Sequence, residues 1–218
     1  MLQHRGDPWW EEVFLLYAGR VADASLLLEQ LLGKSHPSTL QEDIFWTNLL
    51  LAGRCLATRP TIRKASLRHE ITSQLFQVLE QTPYSLIKSQ VANVLAEIGS
   101  VEVNTRLLAL LSNEQLDYSV RGSIANALDT LGERSIAPDL LALLSNEQLD
   151  SDVRWRIADT LGTLGNDYET AFKLAIIMDT TDIPNMVYSA LWKVSQRTGL
   201  RIFRVDDAKG TRFKITRR

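Results

Sequence analysis

Few residues in this chain combine type and spacing in a way that could do chemistry. Gly33-Lys34-Ser35 has the ending of a phosphate-binding loop. Such a loop needs GxxxxGK followed by Ser or Thr, because its glycines turn backbone N–H groups toward phosphate oxygens. The first glycine would fall at position 28, which is Leu28 inside the run LLLEQLL, and a helical leucine run cannot make that loop. His4, His36 and His69 are scattered, and no Cys/His pair stands at metal-ligand spacing. His69-Glu70 lacks the rest of a metalloprotease helix, and neither a GxSxG elbow nor a DxDxDG loop occurs. The single cysteine, Cys55, lies in the apolar stretch LLLAGRCLA, which predicts a buried, inert thiol and no disulfide framework. The sequence therefore predicts no catalytic, cofactor-binding or metal site, and a protein that is not an enzyme.

Composition offers a core and an uneven surface instead. With 45% hydrophobic and 23% charged residues, the 218-residue chain can bury a sizeable core. No apolar run approaches the roughly 20 residues that cross a bilayer. The N-terminus MLQHRGDPWW has no signal-peptide pattern, so a cytoplasmic protein without a membrane partner is expected. The net charge of −2 hides an imbalance, with twelve acids against five bases over Gly99–Thr170 and seven bases against two acids over Leu200–Arg218. A basic end suits phosphate contacts. The acidic stretch would repel the same ligand, so nucleic acid is the weakest functional reading.

Internal repetition says how the chain is built. Leu107–Asp117 and Leu140–Asp150 both read LLALLSNEQLD, thirty-three positions apart. Packing could force the leucines to recur but not the polar Asn-Glu-Gln between them, which points to duplication. The same offset relates Val120 to Val153, Arg121 to Arg154, Ile124 to Ile157, Leu128 to Leu161 and Gly132 to Gly165. Backwards, Ile87, Lys88, Val91, Leu95 and Gly99 keep the register; forwards, the pattern continues to Gly199 with a one-residue slip. The apolar spacing is helical, and the closing glycines suit helix ends that need positive φ. Four helix pairs are expected, with first helices near 67–81, 102–112, 135–145 and 168–179 and second helices near 84–98, 117–131, 150–164 and 184–198. Such units bury their apolar faces only by stacking on neighbours.

Three less regular helices precede the repeats. Asp7-Pro8 is a start signal, with Asp as N-cap and Pro in the first turn. The helix it opens, Trp9–Ala18, is apolar on most faces and expected to be buried. Helices near 21–32 and 41–57 follow, the latter with Ile44 and Phe45 on its apolar stripe. Trp9, Trp10 and Trp46 are expected in the core. Trp155 lies off the core stripe where the neighbouring repeats have Ser89 and Gly122, and like Trp192 it is a contact anchor or filler against the next helix, with filler preferred. After Gly199, Arg201–Val205 and Arg212–Ile215 are short and alternating, which fits a small β-hairpin capping the last pair or a frayed basic tail.

The unit Ile136–Gly165 resembles the short HEAT repeats first grouped with phycobilisome lyases. In that family an Asp in the inter-helix loop and an Arg opening the second helix form a ladder between units. Asp117 with Arg121 and Asp150 with Arg154 match both positions. Lys88 keeps only the charge and Val187 departs, so the ladder is expected to fail at the last unit. This resemblance covers about 67–199. The segment DPWWEEVFLLYAG, from Asp7 to Gly19, resembles the helical segment that follows the NTPase core in bacterial NACHT proteins. Many of those, notably cyanobacterial ones, carry HEAT repeats immediately downstream. That match covers roughly 7–58, and no nucleotide-binding domain stands upstream, so the resemblance implies the sensor or scaffold half of such a protein.

The fold class expected is all-α, an α-solenoid of HEAT-type helix pairs with a small C-terminal hairpin or tail. The expected segments are a helical NACHT-associated-like segment over 7–58, repeats over 59–199 and the basic end over 200–218. The leading functional reading is a protein–protein interaction scaffold or sensor whose second helices line a concave face. Gln90, Asn93, Ser123, Asn126, Trp155, Arg156 and Asp159 are the residues expected there. The partner is a protein of unknown identity, with a NACHT NTPase encoded nearby as one candidate. A bilin lyase or isomerase subunit is the enzymatic alternative that the HEAT resemblance implies.

Overall fold

The computed structural model describes residues 4, 6–33, 43–113, 115–131, 134–207 and 210–217. Lys34, Ser35, His36, Gly132 and the first two residues of the helix expected at 41 lie outside them. The described residues form α1 (Pro8–Arg20), α2 (Ser25–Leu31), α3 (Thr47–Ala57), α4 (Ala65–Gln81), α5 (Ser85–Ile98), α6 (Val101–Leu111), α7 (Tyr118–Leu131), α8 (Ala137–Leu144), α9 (Ser151–Leu164), α10 (Tyr168–Thr180) and α11 (Pro184–Thr198). Strands β1 (Leu200–Asp207) and β2 (Gly210–Arg217) close the chain. Among the described residues, no helix is long and apolar enough to cross a membrane.

The chain divides into two compact units, Met1–Thr105 and Arg106–Arg218. This division differs from the segments 7–58, 59–199 and 200–218, because α3 packs on both α4 and α5 while β1 and β2 pack on α11 and α10. In the first unit α2 packs on α3 and α4, and α3 on α5. In the second, α9 packs on α7, α8 and α11, and α10 on α8 and α11. Within each unit, helix pairs that follow one another in the chain thus pack together. The pair α2–α3, which carries no 33-residue signature, packs on α4–α5 as α8–α9 packs on α10–α11.

The expected core stripe is the observed one. Val153, Ile157, Ala158, Leu161 and Leu164 of α9 are buried, as are Val120, Ile124 and Leu128 of α7 and Ile87, Val91 and Leu95 of α5. The closing glycines divide. Gly99 and Gly199 end α5 and α11 at φ 54° and φ 68°, in the left-handed region that a side chain resists. Gly165 ends α9 at φ −61°, so conformational freedom is not its reason. A Cβ there would lie 2.6 Å from Thr170 Cγ2 and 2.8 Å from the Leu161 carbonyl oxygen, so close approach excludes a side chain.

The repeated Asn also has a physical role. Asn113 Oδ1 accepts the Gln115 N–H at 3.0 Å, and Asn146 Oδ1 accepts that of Gln148 at 3.0 Å. Each builds the turn between its helices, as Asn side chains do in Asx-turns. Duplication is therefore not the only reason for that part of the identity.

The N-terminal helices depart furthest from expectation. Trp9 is 74% exposed, Leu16 and Tyr17 are also exposed, and α1 buries only Phe14 and Ala18. The cause is position: α1 packs on α3, and a helix resting on one neighbour covers one face. Trp10 and Trp46 are half-buried rather than core residues, and Trp10 stacks on His4 with ring centres 4.3 Å apart. Helix α2 starts four residues later than expected, because the Asp23 carboxylate accepts from Ser25 N and Oγ at 3.0 and 2.6 Å. Those bonds, side chain first, hold the Asp23 carboxyl below its ordinary range. Helix α3 begins at Thr47 because Trp46 sits at φ 58° and Asp43 accepts from Phe45 N and from Thr47 N and Oγ1. Ile44 and Phe45 are consequently exposed, not on the α3 stripe.

The C-terminal residues form the hairpin reading of the alternatives, longer than expected and antiparallel, with Ile202 opposite Ile215 and Phe203 opposite Lys214. Leu200 is buried, its carbonyl accepts from Ser195 Oγ at 2.7 Å, and Arg204 reaches Asp179 of α10 at 3.2 Å. The alternate strand face exposes Arg201, Phe203 and Val205.

Two outcomes follow. Leu128→Ala and Leu161→Ala should each cost about 2–5 kcal/mol in urea unfolding, as buried leucines do, and Asn146→Ala about 1 kcal/mol or less through its single turn bond. Removing Leu200–Arg218 should lower the melting temperature as much in high salt as in low. A tail held by charge alone would lose its effect once screening shortens to about 3 Å near 1 M.

Candidate partner-binding surface

The residues expected on a concave face fall in both units. Gln90 and Asn93 are on α5 in the first unit, with Gln90 half-buried and Asn93 exposed. Gln90 lines a cavity of about 280 Å³ between α1, α3 and α5. Its apolar wall is Phe14, Leu50, Leu51 and Ile87, and its polar wall is the ion pair of Glu11 with Arg54. No spacing in the sequence marks this cavity, since its walls come from three helices that are not consecutive in the chain.

Beside that ion pair, but fully buried, sits Cys55. Burial, with a further push from the Glu11 charge, raises its thiol from 9.0 to about 12. A raised thiol favours the neutral folded form. The stability tied to this group is whole below pH 9 and declines as pH climbs toward 12.

In the second unit the candidates separate into core and surface. Ser123 is buried, and its hydroxyl donates to the Ser119 carbonyl at 2.8 Å. It is a helix-interior residue and leaves the surface set, because its side chain turns back along α7. Asn126 is exposed on α7, and Asp159 on α9 pairs with Lys193 of α11. Trp155 is 38% exposed, outside the core stripe but with most of its surface covered; Trp192, on α11, is 56% exposed.

Arg156 joins these residues into a cluster. Its guanidinium carbon lies 5.5 Å from the Trp155 ring centre and 5.9 Å from that of Tyr118. Nη1 donates to Asn126 Oδ1 at 2.9 Å, and Nη2 reaches the Tyr118 hydroxyl at 3.5 Å. The side chain runs from α9 across α7 over Gly122, where a Cβ would already be 3.4 Å from Arg156 Nε. Tyr118, exposed at the start of α7, was not singled out by the sequence. Only its thirty-eight-residue separation from Arg156, bridged by the fold, makes it part of this cluster. Tyr188, one turn before Trp192 on α11, is a further exposed aromatic, and it stands one period of thirty-three residues after Trp155.

The expected ladder residues sit at the helix starts. Asp117 accepts from Ser119 N at 2.8 Å, and Asp150 from Asp152 N at 2.9 Å, so both cap the helices that follow them. Arg154 is 1% exposed and forms its ion pair with Asp182, in the loop before α11. Asp182 follows Asp150 by thirty-two residues, one short of the period, whereas Gly199 follows Gly165 by thirty-four. Arg121 is also buried, and its Nε and Nη1 have no hydrogen-bond partner. Arg197, without a repeat counterpart, donates to the carbonyls of Gly162, Thr163 and Gly165, closing the end of α9.

Among the described residues, no group of three or more His, Cys, Asp or Glu side chains is placed to hold a metal ion. No protein-family model matches the chain, and no curated protein matches it either.

Two measurements check this description. Cys55 should resist iodoacetamide at pH 8 in the folded chain and react stoichiometrically in denaturant. Arg154→Ala should destabilise by about 3 kcal/mol, as expected when a buried ion pair loses one partner, while Asp150→Ala should cost about 1 kcal/mol through its cap.

Proposed function

We propose that this chain is a non-enzymatic protein–protein interaction module, built as an α-solenoid of HEAT-type helix pairs and binding its partner through α7, α9 and α11 of the second unit. The observation that carries this reading is the Tyr118–Arg156–Trp155 cluster. Tyr, Trp and Arg dominate the energetics of interfaces because they bury large area while keeping directed polar contacts. Here all three stand together on a surface, fixed by packing rather than by burial. Tyr188 and Trp192 add exposed aromatic area on α11. Solvent-facing aromatic side chains have no role in the stripe that stacks the helices, and a bound partner would supply what covers them.

The resemblance of 67–199 to HEAT repeats and of 7–58 to NACHT-associated helices supports a scaffold or sensor role beside a NACHT-type NTPase. In that role the second unit recognises and the NTPase responds. The proposed setting is cytoplasmic.

Affinity capture with the full chain, read by mass spectrometry, tests this. The doubly substituted Trp155→Ala/Trp192→Ala chain should lose a partner that the parent and a Ser66→Ala control on α4 both retain. An NTPase among the proteins lost would carry the NACHT reading. A partner retained by the double variant would move the interface off this face.

A further inference from the structure

We infer that the Tyr118–Arg156–Trp155 cluster is a receptor for one acidic side chain of a peptide partner, which deepens the reading of this face as an interaction surface and rests on it. The first argument is charge. Lys193 on α11 is paired with Asp159, Arg154 with Asp182, and Arg197 is bound to three carbonyl groups. Arg121 is buried. Arg156 is the half-exposed guanidinium of this layer that, among the described residues, has no carboxylate partner. Its bonds go to a neutral amide and a phenol, and each terminal nitrogen keeps an N–H beyond them. A planar guanidinium with both terminal nitrogens free to donate matches a carboxylate in bidentate geometry.

The second argument is preorganisation. A free arginine side chain loses rotamer entropy when it is fixed in a complex. This one is already fixed, between two rings and against Asn126, in the space that Gly122 leaves over α7. The rings beside it offer apolar area for the residues that flank the acid. The third argument decides the class of ligand. Gly99–Thr170 carries twelve acids against five bases, a field that repels a nucleic-acid backbone with a charge at every step. One carboxylate in contact with one guanidinium brings a single negative charge into that field rather than one at every step. The ligand expected is a peptide with an Asp or Glu next to an apolar residue.

The test selects phage-displayed random peptides on the full chain and measures fluorescein-labelled synthetic copies by polarisation. Enriched peptides should share an acid beside an apolar residue. Arg156→Gln should weaken them at least about tenfold, in keeping with one charge-assisted pair, and Arg156→Lys should restore only part. Changing the peptide acid to its amide should cost as much, with no further loss when both changes are combined. Gly122→Leu, which fills the space Arg156 occupies, should mimic Arg156→Gln with an unchanged circular dichroism spectrum. Enrichment of peptides without an acid, no enrichment at all, or equal binding by Arg156→Gln would overturn the inference. If Trp155→Ala abolishes binding while Arg156→Gln does not, the interaction face stands and the carboxylate receptor falls. If neither substitution matters, both fall. Binding of a thymidine oligonucleotide that Arg156→Gln removes would assign the cluster to nucleic acid instead.

Discussion

The stacking of α9 between α7 and α11 is the contact on which the second unit depends. Residues 153, 157, 158, 161 and 164 of α9 are apolar and buried, and so is the side of α9 that carries Arg154 and Thr160. A helix of fourteen residues with so much apolar surface is marginal alone in water. It needs neighbours on more than one side, and the chain supplies α7, α8 and α11. The same need explains why the helices at 8–20 look so different. Helix α1 has a higher apolar content than α9 but packs on α3, so Trp9, Leu16 and Tyr17 face solvent. Neighbour number, not hydrophobicity, decides which apolar residues become core.

Stacking of this kind brings the start of α9 against the loop before α11, which sets the electrostatics there. Arg154 illustrates the constraint. A guanidinium withdrawn from water needs its opposite charge close by, or its desolvation goes uncompensated. Asp182 supplies that charge from the following loop, while Asp150, four residues before Arg154, is occupied in capping α9. Arg121 occupies the equivalent position on α7, with Nε and Nη1 unpartnered. The two repeats are alike in sequence yet satisfy the same buried group to different degrees: Arg154 leaves only Nε unpartnered, Arg121 both Nε and Nη1.

Periodicity made the regular elements legible. The second helices expected at 84–98, 117–131, 150–164 and 184–198 begin and end within about a residue of α5, α7, α9 and α11. Asp7 as an N-cap and Gly99 and Gly199 at helix ends were readable for the same reason: their chemistry is local. What could not be read was anything fixed by a few long-range bonds. The late start of α2 depends on Asp23 capturing Ser25 and the backbone of Arg63, and the late start of α3 on a left-handed Trp46. For the site, Trp155, Arg156 and Asn126 were visible as off-stripe residues of the repeat. Ser123 was misplaced because a small hydroxyl in a helix can turn inward to bond its own backbone. Tyr118 carries the same signal as Trp155, an aromatic where the positions thirty-three residues before and after, Ser85 and Ser151, are small.

The repeat comparison by itself could not separate a surface shaped for a partner from one that drifts, since both vary while the core stays fixed. Packing separates them in part. Positions 122 and 155 stand one period apart, Gly in one repeat and Trp in the next. The glycine clears the path for Arg156, whose guanidinium then lies against the Trp155 ring. A small residue on α7, a large one on α9 and the cation between them form one arrangement that independent drift would have to produce three times over. It also bridges α9 to α7, since Arg156 donates to Asn126 and reaches Tyr118, although neither Arg156 nor Trp155 belongs to the buried stripe. The fold therefore uses the guanidinium of this cluster to tie α9 to α7, and leaves part of the Tyr118 and Trp155 side chains uncovered.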